Sequence, residues 1–156
     1  MTNTFPELDP GSVDLNTWTQ DAPLGNGNWT VSAVGDTLTQ SVNGNPTIFY
    51  SDIPFSGDFQ GSIKVNTNGD DDFIGFVLGY DPGELTSGSS DYILIDWKQG
   101  NQNYAGYAPA GLAVSHVTGN GSIGEFWAHN GDVQEVARAN TIGSTGWADY
   151  VTNEFT

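Results

Sequence analysis

No stretch of this chain sustains an apolar period of 3.6 residues, which argues against helices as its building units. What it shows instead is dense punctuation. Its 21 Gly and seven Pro, with many Asn, Asp, Ser and Thr, cut the sequence into short β-branched and aromatic runs. Turn formers at this frequency leave room for strands of a few residues each. The pattern predicts an all-β sandwich or barrel. At 156 residues the chain fits one domain, and its five Trp, six Tyr and eight Phe supply bulk for a core.

Taken in order, residues 1–28 read as an irregular lead-in, with Leu15 and Trp18 as anchors onto the body, and 29–156 as the domain proper. Strands are expected at 29–34, 37–42, 47–51 and 58–66, with Asn43-Gly44-Asn45-Pro46 as a turn. The run 73–80 is apolar and glycine almost throughout and reads as a strand that is covered on both faces or uses Gly75 and Gly79 to let another backbone approach closely. After a loop at 81–91, the strand 92–99 puts Tyr92, Leu94, Asp96 and Lys98 on one face and Ile93, Ile95 and Trp97 on the other. Asp96 and Lys98 are expected to pair at the surface. Residues 101–109 form a polar, tyrosine-dotted loop. Strands follow at 111–117 and 125–129, and another begins at 147. Residues 132–140 carry a capping-box pattern, Asp132 with Glu135, but are too short for a lone helix and read as strand.

Between the strands 58–66 and 73–80 lie Asn66-Thr67-Asn68-Gly69-Asp70-Asp71-Asp72. Adjacent carboxylates raise one another's pKa unless a cation or hydrogen-bond donors offset the repulsion. Calcium does this with carboxylate, amide and backbone oxygens. The run by itself fits a calcium loop and a solvated acidic turn equally well. The rest of the charge is informative by exclusion. Net charge is −16, and only Lys64, Lys98 and Arg138 are cationic. A nucleic-acid partner needs a basic face, and an anionic membrane attracts one, so neither is expected. Without cysteine there is no disulfide framework or thiolate chemistry. No run of about 18 apolar residues suggests a spanning helix, and residues 1–10 lack the charged and apolar regions of a signal peptide.

Five segments in order resemble the C-terminal, L-type-lectin-like domain of thrombospondins and cartilage oligomeric matrix protein, and its bacterial relatives. They are Asp58-Phe59-Gln60-Gly61 leading to Val65-Asn66-Thr67; Asp70-Asp71-Asp72-Phe73-Ile74-Gly75-Phe76-Val77-Leu78-Gly79-Tyr80; Tyr92-Ile93-Leu94-Ile95-Asp96-Trp97-Lys98-Gln99; Trp127-Ala128-His129-Asn130-Gly131-Asp132-Val133; and Gly146-Trp147-Ala148-Asp149. The resemblance implies a jelly-roll, concanavalin-like antiparallel β-sandwich, calcium in the loop of Asp70, Asp71 and Asp72, extracellular or cell-surface placement, and a role in adhesion. Asn66 and Asn68 are added as ligands from their chemistry. The family's domain continues for several strands past the position matching Thr156, so the sandwich is expected to lack its last strands here. Either another segment or a partner chain completes it, or the domain closes differently, or the sequence is a fragment of a longer one. Domains split by an inserted module in large bacterial adhesins give the same outline.

Two classes of function follow. In one, the domain recognises a glycan or a cell-surface protein; Tyr104 and Tyr107, beside Asn101 and Asn103, have aromatic faces suited to sugar C–H faces. In the other, it is a spacer that positions a different module and has no ligand of its own. Catalysis is not expected. There is no Gly-x-Ser-x-Gly elbow or nucleotide fingerprint, and the two histidines, His116 and His129, read as structural or exposed.

Overall fold

The structure, a computed structural model, describes residues 13–25, 27–54, 59–63, 72–139 and 151–155. It is an all-β, antiparallel sandwich with one short α-helix and two single 3-10 turns, Leu15–Thr17 and Glu84–Thr86, among the described residues. The elements are β1 (Thr19–Asp21), β2 (Trp29–Val31), β3 (Leu38–Gln40), β4 (Ile48–Tyr50), β5 (Phe59–Ile63), β6 (Ile74–Leu78), β7 (Tyr92–Lys98), β8 (Gln102–Asn103), β9 (Tyr107–Ala108), β10 (Gly111–Val117), α1 (Ile123–Ala128), β11 (Val133–Ala139) and β12 (Val151–Phe155). A four-stranded sheet in the order β11-β10-β7-β6 is the organising layer, with β1–β4, β2–β3, β5–β12 and β8–β9 as two-stranded pairs around it. No closed barrel occurs among the described residues.

β7 and β10 oppose one another along their full length, from Gly111 against Lys98 to Val117 against Tyr92; β10 alternates buried and half-buried residues, whereas β7 is buried on both faces from Ile95 to Lys98. Opposed residues share a face, so the period of two sorts the sheet into two packed sides. On one side Tyr92, Val117 and Val133 are buried with Ile48 of β4 and Leu85 of the β6–β7 connection, and Phe126 of α1 packs onto them. On the other, Trp97 is buried with Ile63 of β5, flanked by Ile74, Phe76 and Leu112. Burying each such side chain stabilises the fold by about 1.5–3 kcal/mol. β6 is covered only in part, since none of its residues is buried and Leu78 is 51% exposed. The close backbone approach expected at glycine is found at Gly75, opposite Asp96: a Cβ there would lie 2.0 Å from the Ile95 carbonyl oxygen and 2.6 Å from Asp96 Cα.

Glu84 closes the β6–β7 connection. Its carboxylate accepts the Asp81 N–H at 2.7 Å and the Asp91 N–H at 2.9 Å, one from each end of the loop. The region expected to be an irregular lead-in contributes real structure. β1 pairs with β4, and Trp18 stacks on Phe49 with centroids 6.4 Å apart. The Tyr80 hydroxyl donates to Asp21 and accepts the Leu85 N–H at 3.2 Å, while Asp21 also accepts the Gly83 N–H at 3.0 Å. The N-terminal strand is thereby tied to the loop that follows β6.

One local expectation is corrected and another is met. Residues 125–129 are not a strand: α1 starts at Ile123 behind a capping box. Ser122 Oγ accepts the Glu125 N–H at 3.3 Å, and the Glu125 carboxylate accepts the Ser122 N–H at 2.7 Å. The pattern Asp132 with Glu135 is no cap, because 133–139 is β11, as its length and context suggested. Its register against β10 slips at Val114/Ser115. Val136 is thereby left unpaired as a bulge, 61% exposed.

Candidate functional site

Three features of interest meet at the Lys98 end of β7. The first is the end of the acidic run. Asn66, Asn68, Asp70 and Asp71 lie outside the described residues; Asp72 is half-buried directly ahead of Phe73. Phe73 leads into β6 and fixes where the acidic segment ends. Its ring meets Trp127 edge-on at 5.5 Å and lies 5.1 Å from the His129 ring. Carboxylates with side-chain amides form an all-oxygen donor set of the type calcium takes. Among the described residues, no group of three His, Asp or Glu side chains is arranged to hold a metal.

The second is the β8–β9 hairpin. Asn103 opposes Tyr107, and the exposed Asn101 uses its side-chain oxygen to accept the Ala110 N–H at 2.7 Å, closing the base of the turn. Tyr104 is 72% exposed and Tyr107 60%. Tyr104 sets its ring against Trp127 with centroids 5.3 Å apart. Trp127 therefore touches both Phe73 and Tyr104, joining the acidic segment to the hairpin. Lys98 Nζ sits over two of these rings, 4.7 Å from Trp127 and 5.2 Å from Phe73, and donates to Gln102 at 2.8 Å. Cations over aromatic faces gain from the ring quadrupole, more so when desolvated.

The third is a buried polar network absent from the sequence expectations. Asp96 and Lys98 share a sheet face but are not a surface pair: Asp96 is 4% exposed and Lys98 wholly buried. Asp96 Oδ2 instead meets His129 Nε2 at 3.1 Å. His129 Nδ1 lies 3.4 Å from Glu135 Oε2 and 3.1 Å from Arg138 Nη2. Arg138 grips Glu135 through two bonds of 3.0 and 2.6 Å and donates to the Pro109 carbonyl at 3.0 Å. This fork geometry is the strong form of an ion pair, and it holds the Glu135 carboxyl below its usual range. Burial pushes the Asp96 carboxyl up, more than its bond to His129 lowers it. Burial also pushes the His129 imidazole down, but Asp96 and Glu135 outweigh that and raise it. Asp96 Oδ1, Ser115 Oγ, Trp127 Nε1 and the Gln99 amide have no hydrogen-bond partner among the described residues.

His129 is placed by backbone geometry. It caps α1 in the left-handed region, φ 49°, the only non-glycine with positive φ among the described residues. Such a conformation costs on the order of 1 kcal/mol. Gly131 follows at φ +59°, where a Cβ would lie 2.0 Å from the Glu125 carboxylate. The signal that could have found this corner was Ser122 three residues before Glu125, hidden in a glycine-rich stretch.

With an acidic segment leading into Phe73 and a sheet built on the 92–98 strand, comparison with known proteins becomes decisive. The family model described as the thrombospondin C-terminal region matches residues 25–126. The chain belongs to the thrombospondin C-terminal family. It is 31% identical over 138 residues to thrombospondin-4 of Bos taurus, covering 80% of this chain and 14% of that protein. Thrombospondin-2 of Bos taurus is 32% identical over 137 residues, 79% of this chain and 11% of that protein. Thrombospondin-3b of Danio rerio is 33% identical over 117 residues, 67% and 12%. The chain thus spans about one-seventh or less of the length of these relatives. No solved structure matches. Among the described residues, no helix is long and apolar enough to cross a membrane.

Proposed function

We propose that the domain is an extracellular, non-catalytic adhesion module in which calcium is held by Asp70, Asp71 and Asp72 with Asn66 and Asn68. The bound ion supplies charge that offsets the repulsion among these carboxylates. The carrying observation is the continuous contact from the half-buried Asp72 and its neighbour Phe73 through Trp127 to the exposed Tyr104. Ordering one end of that chain stiffens the other. Tyr104 and Tyr107 then offer aromatic faces to a glycan or a cell-surface protein, with Asn103 alongside. The −16 net charge speaks against nucleic acid as the partner.

A spacer role without a ligand is the second reading. It is favoured by Asn101, whose side-chain oxygen is spent on the hairpin's own backbone. The two separate in one series. Melting temperature rises with free calcium if the ion binds the native state; identical melting in excess calcium and in chelator sinks the calcium assignment. A glycan and cell-surface-protein array probed in calcium, with Tyr104→Ala and Tyr107→Ala in parallel, then decides recognition. Hits lost in those variants support it, and silence leaves the spacer.

A further inference from the structure

We propose that His129 is a proton-operated latch, fastening the α1–β11 corner to the sheet when its ring is doubly protonated and loosening it when the Nδ1 proton leaves. The geometry supplies two mutually exclusive bonding patterns. Nε2 faces only an acceptor, Asp96 Oδ2, so it keeps its proton in both states. Nδ1 faces an acceptor, Glu135 Oε2, and a donor, Arg138 Nη2. Protonated, Nδ1 donates to Glu135 and meets the Arg138 N–H donor-to-donor. Neutral, it accepts from Arg138 and turns its lone pair on Glu135. Loss of the proton thus swaps the partner of one ring atom.

Charge balance gives the direction. Around the imidazole stand Asp96 and Glu135 as anions and Arg138 as the facing cation. Lys98 lies two residues from Asp96 on β7 and packs on the same Phe73 ring as His129, and Asp72 precedes Phe73 in the chain. From β10, Ser115 is uncharged, and its hydroxyl has no partner among the described residues. The cluster of Asp96, Glu135, Arg138 and His129 is neutral with the ring charged and carries a net negative charge without it. Its side chains are largely shut off from water: His129 is 1% exposed, Asp96 6%, Arg138 11% and Glu135 29%. Uncompensated charge there is costly. The left-handed backbone of His129 is the other half of the device, since it aims the ring inward at a conformational cost. The hairpin carrying Tyr104 rests on the same helix: a Cβ at Gly106 would lie 2.9 Å from Ala128 Cβ. The latch stands whether or not that hairpin binds a ligand.

The folded-state pKa of His129 lies above its ordinary 6.5. Its contribution to stability is therefore fully present below about 6.5 and is lost as pH rises through the folded value. Thermal unfolding at pH 6, 7, 8 and 9, at one saturating calcium concentration, tests this. The unmodified chain and His116→Gln lose a few degrees together across that range, whereas His129→Gln stays flat. A slope that survives in His129→Gln, or vanishes in His116→Gln, overturns the proposal. Should His129→Gln not fold, imidazole NMR of the unmodified chain decides. The expected result is a midpoint above 6.5 with the proton left on Nε2 in the neutral ring; a lower midpoint, or a neutral ring protonated on Nδ1, refutes the latch.

Discussion

At the Tyr92 end of β7 the sheet face meets Ile48, Leu85, Val117 and Val133; at the Lys98 end of the same face it meets His129, Glu135, Arg138 and two aromatic rings. Both ends are buried, and their neighbours on β10 are equally inaccessible. The apolar end gains from area removed from water and needs no particular orientation of its atoms. The polar end gains little from burial and depends on each charge finding its partner at the right distance. The first loses stability in proportion to the apolar volume removed, whereas losing one member of the second strands the others. One strand thus carries an apolar anchor and a corner that responds to charge.

Tyr92→Ala strikes the apolar end and has the largest expected effect, about 3 kcal/mol in urea-induced unfolding. A loss below about 1 kcal/mol would mean this end does not anchor the sheet. Gly75→Ala comes next, at about 2 kcal/mol, because its Cβ meets backbone of β7 that cannot swing aside. Arg138→Met is of similar size, about 2 kcal/mol, since it orphans Glu135 and the Pro109 carbonyl. The sharper form of that test is the double variant Glu135→Leu/Arg138→Met. It recovers much of the loss if orphaning, not lost attraction, is what the polar end suffers. Ser122→Ala removes the cap that starts α1 and costs about 1 kcal/mol. The exposed pair of His116 with Asp91 belongs to neither end, and His116→Gln changes stability by less than about 0.5 kcal/mol.

The sheet was legible because strand periodicity declares itself within a few residues. The alternation of 111–117 reappears as β10 with the same bounds, and 92–99 as β7 one residue shorter. The strand reading of 132–140 held for the same reason, although Asp132 and Glu135 imitate a cap. The helix was not legible, since six residues make fewer than two turns and show no apolar stripe. The burial of Asp96 and Lys98 was hidden more deeply. Side-chain alternation assigned them one face, but nothing local says that His129 arrives 33 residues later to cover Asp96. The family was legible in five dispersed segments, whereas most of the acidic loop that suggested calcium lies outside the described residues.

The Tyr80 hydroxyl, shared between Asp21 and the Leu85 amide, bears on how this domain can be cut out for study. The family match begins at residue 25, and that number invites a shortened version starting there. Such a truncation discards β1, leaves β4 with an open edge, and takes Trp18 off Phe49. It also strips Gly83 and Tyr80 of their common acceptor. The fold therefore extends upstream of its recognisable sequence, at least to Asp14, whose carboxylate caps the turn at Leu15–Thr17.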